Sequence, residues 1–225
     1  MPLNPCELEI DLFCNGLRIP DAVSIEGGRA IASMRAGLGS GLELKIPTGS
    51  WIKPAIWMNV PVREWFVPSS PFVLEGSRDK GYRVADGRDG ERYPVEIPPQ
   101  PDWYERPTSR GVPMGRIGTL QGTYLGIYVS PVCAFWTRTP AVNCRFCTTG
   151  RNVGNAEVAH KTIADVVETC RMAKEESGAT FVHLNGGFQG TGGFDRIAPY
   201  VEAIKERVGL LVGVQLAPER DVHTY

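Results

Sequence analysis

Residues 124–147 read YLGIYVSPVCAFWTRTPAVNCRFC, and the fold of the second half of the chain turns on how they are parsed. Leu125, Ile127 and Val129 alternate with Tyr124, Gly126, Tyr128 and Ser130, the two-residue period of a β-strand. Three cysteines follow, Cys133, Cys144 and Cys147, in a loop at the C-terminal end of that strand. Downstream, Thr162 is placed to cap a helix with Asp165 three residues on. That helix buries Ile163, Val166, Val167, Cys170 and Ala173 at three- and four-residue spacing and stops near Ser177-Gly178. Thr180 to Asn185 reads as a second strand. A second helix starts near Asp195, buries Ile197, Val201, Ile204 and Val208, and ends at Gly209. Pro199 falls early in it, where a missing N–H does little harm. Leu210 to Leu216 is a third strand. This alternation implies parallel strands joined by right-handed crossovers.

Each strand has one aliphatic face and one mixed face. Val182 and Leu184 oppose Phe181, His183 and Asn185; Val212, Val214 and Leu216 oppose Leu211, Gly213 and Gln215. A doubly wound sheet wants both faces apolar, whereas a barrel lumen accepts a mixed one. The expected fold class is therefore α/β, a partial (β/α) barrel over residues 119–225, with its chemistry at the C-terminal strand ends. Three strands do not close a barrel, and the last leaves an open edge. The chain is thus expected to be an incomplete barrel, or an open α/β half completed by a partner.

The first hundred residues have another character. Leu8, Ile10 and Leu12 alternate with Glu7, Glu9 and Asp11, and Leu42, Leu44 and Ile46 with Glu43 and Lys45; both runs have the period of half-buried strands. Turn signals separate them: Asn15-Gly16, Gly27-Gly28, Pro47-Thr-Gly49 and Asp86-Gly-Arg-Asp-Gly90. Residues 1–100 read as a small, mostly β domain. The proline-rich segment that follows reads as a linker over residues 101–118. Trp51, Trp57, Trp65 and Trp103 are expected in the core or at an interface of the small domain, with the lining of a binding groove as the alternative.

At 225 residues the chain is one large domain or two small ones. A net charge of −1 gives no sign of a nucleic-acid or membrane-surface binder. No apolar run approaches the ~20 residues of a membrane span. The N-terminus carries acids and prolines where a signal peptide has a basic segment and an apolar core. These features suggest a cytoplasmic protein, in which clustered cysteines read as metal-binding or catalytic sooner than as disulfides.

Three thiolates on one loop suit three irons of a four-iron cluster, with the fourth iron left open to another ligand. The rival is structural zinc in a scaffold or interaction protein. Zinc needs a fourth ligand, with His160, Cys170 or Cys14 as candidates. Cys170, on an apolar helix face, reads better as a core thiol. Unligated thiols are the third reading. Gly186-Gly187 by itself is a tight strand-to-helix turn. Gly190, Gly192 and Gly193 lack the Gly-Lys-Ser/Thr that a phosphate loop requires. His183 reads as an interior, hydrogen-bonded histidine. Arg138, Arg145 and Arg151 place positive charge around the cysteine loop, suited to an anionic cluster or a carboxylate.

With the cysteine triplet after the first strand, Phe146 just before the last cysteine, and Gly186-Gly187 after the second strand, residues 115–225 resemble the radical S-adenosylmethionine superfamily. The resemblance implies that Cys133, Cys144 and Cys147 hold a [4Fe-4S] cluster whose open iron is chelated by S-adenosylmethionine. Phe146 would lie near the adenine, and Gly186 and Gly187, with Asn185, would meet the methionine amino group. An electron donor such as a flavodoxin or ferredoxin would reduce the cluster. Reductive cleavage would then yield a 5′-deoxyadenosyl radical that abstracts hydrogen from a substrate. Two departures stand out. The first cysteine gap is ten residues where the family has three, although a longer loop costs little in closure entropy. The glycine pair is followed by Phe188-Gln189 where the family has an acidic residue.

Overall fold

The computed structural model describes residues 2–23, 25, 41–144 and 147–218. The Gly27-Gly28 turn, Arg145 and Phe146 lie outside the described residues. Contacts divide the chain into two compact units, with the boundary at Gln100–Pro101.

The first unit opens with a helix, α1 (Pro5–Asn15), not the strand expected there. Asn4 Oδ1 accepts the backbone N–H groups of Cys6 and Glu7, each at 3.0 Å, and the Glu7 carboxylate accepts the Asn4 N–H at 2.9 Å. This reciprocal capping box, with Pro5 in the first turn, starts the helix. Leu8 and Leu12 are fully buried, while Ile10 is 63% exposed. A four-residue separation fits either a strand face or a helix face; the outward Ile10 fits only the helix.

Strands β1 (Leu42–Pro47) and β2 (Ala55–Val60) form an antiparallel hairpin. Its register sets Leu42 opposite Val60, Leu44 opposite Met58 and Ile46 opposite Ile56, all buried. Strands β3 (Phe72–Ser77), β4 (Gly81–Asp86) and β5 (Arg92–Val95) form an antiparallel meander. Phe72, Leu74, Val84, Tyr93 and Val95 join Leu8, Leu12 and the hairpin in one core. Arg88, in the β4–β5 turn, reaches Asp86 and Asp11, each at 2.7 Å. Three tryptophans of this unit lie outside its core: Trp51 and Trp65 are exposed, and Trp57 carries Lys45 over its ring.

The second unit begins with the segment read from its prolines as a linker. It packs inward. Trp103, Tyr104, Met114 and Ile117 are buried in the unit's core, and Trp103 Nε1–H donates to Ser177 Oγ at 2.8 Å. The sheet has strand order β6 (Thr119–Gln121), β7 (Tyr124–Tyr128), β8 (Phe181–Gly187), β9 (Leu211–Leu216). β7, β8 and β9 run parallel, and β6 is antiparallel to β7. Two short helices, α2 (Ala134–Thr137) and α3 (Thr149–Asn152), lie between β7 and α4 (Ile163–Ser177). α5 (Gly193–Arg207) connects β8 to β9. Thr162 caps α4 in a capping box with Asp165, and Gly178, left-handed at φ 64°, ends it. Val166, Val167 and Cys170 of α4 and Ile197 and Ile204 of α5 cover Leu125, Ile127, Val182 and Leu184.

The expected (β/α) barrel is not formed. Among the described residues there are three small separate sheets, and none of them closes. The hairpin partner β6 takes the edge of β7 on which a closing barrel strand would have to pair. The mixed strand faces have another account. Tyr124, Phe181 and His183 form an aromatic cluster with ring centroids 6.1–6.4 Å apart, Tyr124 edge-to-face with the other two, and the Phe181 ring lies over Gly213. An open two-layer sheet that carries an aromatic cluster on its second face satisfies the same pattern that suggested a lumen.

Candidate functional site

The C-terminal ends of β7 and β8 bring the cysteine loop and the glycine turn together. Cross-strand register sets Tyr128, Asn185 and Gln215 in one row on the face away from the helices. Beyond this row the backbone of β8 turns at Gly187, with φ +60°. A Cβ there would stand 2.9 Å from Cys133 Cβ, 3.1 Å from Tyr128 Oη and 3.3 Å from Cys133 Sγ. Glycine is thus demanded twice, by the left-handed conformation and by the cysteine against it. Gly186 faces the opposite way: its Cβ would meet Ile197 at 2.6 Å and Ser130 Oγ at 3.1 Å. Ser130 Oγ is buried without a hydrogen-bond partner among the described residues.

Cys133 is buried and immediately precedes α2. Phe188 clamps it: the Phe188 N–H donates to Cys133 Sγ at 3.3 Å, and the Phe188 carbonyl accepts the Ala134 N–H at 2.9 Å. The Phe188 ring stacks on Phe135 with centroids 4.6 Å apart, and the Arg138 guanidinium lies over both rings. Gln189 turns its amide inward, donating to Pro131 O at 2.7 Å and Gly186 O at 2.8 Å. Tyr128 Oη–H donates to Pro131 O at 2.8 Å. A side chain at 189 that faces carbonyls must be a donor, which suits glutamine.

Cys147 is half-buried at the start of α3. Trp136 Nε1–H donates to its sulfur at 3.3 Å, and the Thr149 hydroxyl lies 3.0 Å away. The Cys147 N–H donates to the Cys144 carbonyl at 3.1 Å, closing the turn between these two cysteines. Cys144 itself is exposed. Burial above all pushes the Tyr128 phenol well above its ordinary range. It stays a neutral donor.

Among the described residues, no three His, Cys, Asp or Glu side chains stand close enough together to hold a metal ion. Cys133 lies against the Gly187 turn beside Tyr128, Cys147 lies under Trp136, and the three cysteines are not gathered at one point. Hydrogen-bond donors aimed at sulfur suit thiolate better than neutral thiol. In that respect Cys133 and Cys147 fit metal-bound thiolates; the Cys147 N–H also donates to the Cys144 carbonyl. Of the zinc candidates, Cys170 is buried among aliphatic side chains, and burial pushes its thiol up to about 12. Nothing in the spacing of the sequence pointed to Trp136, Thr149, Gln189 or Ser130. No protein-family model, curated protein or solved structure matches this chain. Among the described residues no helix is long and apolar enough to cross a membrane.

Proposed function

We propose that the protein is a cytoplasmic radical S-adenosylmethionine enzyme. A single observation carries this reading. Gly187, the second residue of the glycine pair, packs directly against Cys133, the first residue of the cysteine triplet, although 53 residues separate them in sequence. That contact joins the motif that would hold the cluster to the turn that would meet the methionine end of the S-adenosylmethionine bound to it. Cys133, Cys144 and Cys147 would ligate a [4Fe-4S] cluster. Gly186 and Gly187, beside Asn185, would receive the methionine amino group of S-adenosylmethionine, and Phe146 would lie against the adenine. When bound, the cluster supplies one electron, drawn from a flavodoxin- or ferredoxin-type donor, that breaks a carbon–sulfur bond of S-adenosylmethionine. The chain's own part is to hold and shield. Phe188 fixes Cys133 from its backbone, the Phe135–Phe188 stack covers that side, and neutral Tyr128 braces the turn through Pro131 and Gly186.

The test is anaerobic reconstitution with iron and sulfide. Wild-type protein is expected to turn brown, to hold about four irons per chain, and to release 5′-deoxyadenosine and methionine from S-adenosylmethionine under dithionite. Cys144→Ser and Cys147→Ser should each lose the colour. A colourless wild-type protein with stoichiometric zinc would overturn the proposal in favour of a zinc-stabilised scaffold.

A further inference from the structure

The ten residues between Cys133 and Cys144 do more than lengthen a loop. Their first four form the single turn α2, which Cys133 precedes and which the Trp136 N–H to Cys133 O bond of 2.9 Å closes. This turn carries the Trp136 indole from one cysteine to another. The ring lies flat against Gly150 of α3, where an added Cβ would fall 2.5 Å from ring atoms. With the ring held there, its only polar group, Nε1–H, points at Cys147 Sγ at 3.3 Å. Thr149, buried on α3, sets its hydroxyl 3.0 Å from the same sulfur. A metal-bound Cys147 is a thiolate and offers no proton, so Thr149 must then be the donor. One sulfur thus faces two donors from two elements, and neither donor can be recognised from the cysteine spacing.

We propose that Trp136, with Thr149, is a positioning residue that raises the reduction potential of the cluster through hydrogen bonds to Cys147 Sγ. The inference rests on the cluster assignment above. Adding an electron increases negative charge on the ligand sulfurs, and N–H and O–H donors stabilise that charge. Removing a donor therefore disfavours the reduced state and moves the potential downward. The long first gap leaves α2 whole: a three-residue gap would put the second cysteine in the last residue of that turn.

Trp136→Phe keeps a ring against Gly150 and deletes the N–H; Thr149→Val keeps the shape and deletes the hydroxyl. The experiment is an anaerobic dithionite titration of the reconstituted full chain, followed by electron paramagnetic resonance, with iron and sulfide measured on each sample. Trp136→Phe is expected to retain its iron and to shift about tenfold in the ratio of reduced to oxidised cluster at fixed potential, a lowering of ~59 mV for a one-electron couple. Thr149→Val should shift the same way. An unchanged midpoint in both variants, with iron content intact, overturns this inference and leaves the enzyme assignment standing. Should Trp136→Phe fail to fold, Thr149→Val alone decides in the same terms. A wild-type protein that takes up no iron overturns both.

Discussion

Replacing Gly187 by alanine isolates the contact on which the site depends. Two costs are added by one methyl group. The left-handed backbone at φ +60° disfavours an L side chain by about 1–2 kcal/mol. The new Cβ would also lie 2.9 Å from Cys133 Cβ, an atom next to the backbone that cannot swing aside. Overpacking of that kind costs about 1–3 kcal/mol, giving about 2–5 kcal/mol in all. Gly190→Ala is the control. Gly190 has φ +77° and open space where its Cβ would go, so it carries only the backbone cost. Urea unfolding followed by far-UV circular dichroism should place Gly187→Ala below Gly190→Ala by roughly 1–3 kcal/mol at unchanged slope. Displacing Cys133 should also lower the iron taken up on reconstitution. Equal midpoints for the two variants would show that Gly187 does not bear on Cys133, and the junction of the two motifs would fail with it.

Three other outcomes follow from the second unit. Asp165 accepts hydrogen bonds from Thr108 and Thr162; burial alone would raise its carboxyl, but these bonds outweigh it and hold the group below its ordinary value. The stability it provides is therefore present above its unfolded value, about pH 3.9, and lost as pH falls through the lower folded value. Asp165→Asn should cost about 1.5–3 kcal/mol near neutrality, and urea midpoints of variant and wild type should converge in acid. Trp103→Ala should destabilise the unit by about 3–5 kcal/mol in denaturant unfolding; a near-neutral result would mean that residues 101–118 are a linker after all. Native-state alkylation with mass mapping should label exposed Cys144 rapidly and leave Cys170, whose thiol burial pushes up to about 12, unmodified until unfolding.

Elements with two concordant signals were legible in the sequence, and those with one ambiguous signal were not. α4 announced itself by both a cap, Thr162 with Asp165, and an apolar stripe, and it forms between Ile163 and Ser177. α1 has the same kind of cap in Asn4, Pro5 and Glu7, but the alternation of Leu8, Ile10 and Leu12 reads as a strand. Two of those three residues fit either period. The cap was the discriminating feature, because an Asn side chain three residues before a glutamate closes a helix start and does nothing for a strand. The barrel failed for a different reason. The parallel order of β7, β8 and β9 follows from the alternation of elements, but closure depends on what pairs with β7's other edge. β6 has only three residues, too short to show a period, and it decides that edge.

The candidate site divides along the same line. Backbone direction was readable, so Cys133 and Gly187 could be assigned to neighbouring strand ends, and they touch. Side-chain reach across loops was not readable, so the donors on sulfur went unseen. Trp136 stands in a stretch whose local sequence resembles any irregular loop, and its partner lies eleven residues on. The two departures from the family pattern have physical counterparts at these unseen contacts. Phe188 stands in the position where an acid was expected, and it serves Cys133 with its backbone N–H and Phe135 with its ring. The long gap houses the turn that carries Trp136. A carboxylate at 188 could not make the ring stack, and a three-residue gap would put a cysteine within α2. Both departures bear on the sulfurs: one brings a backbone donor to Cys133, the other an indole donor to Cys147.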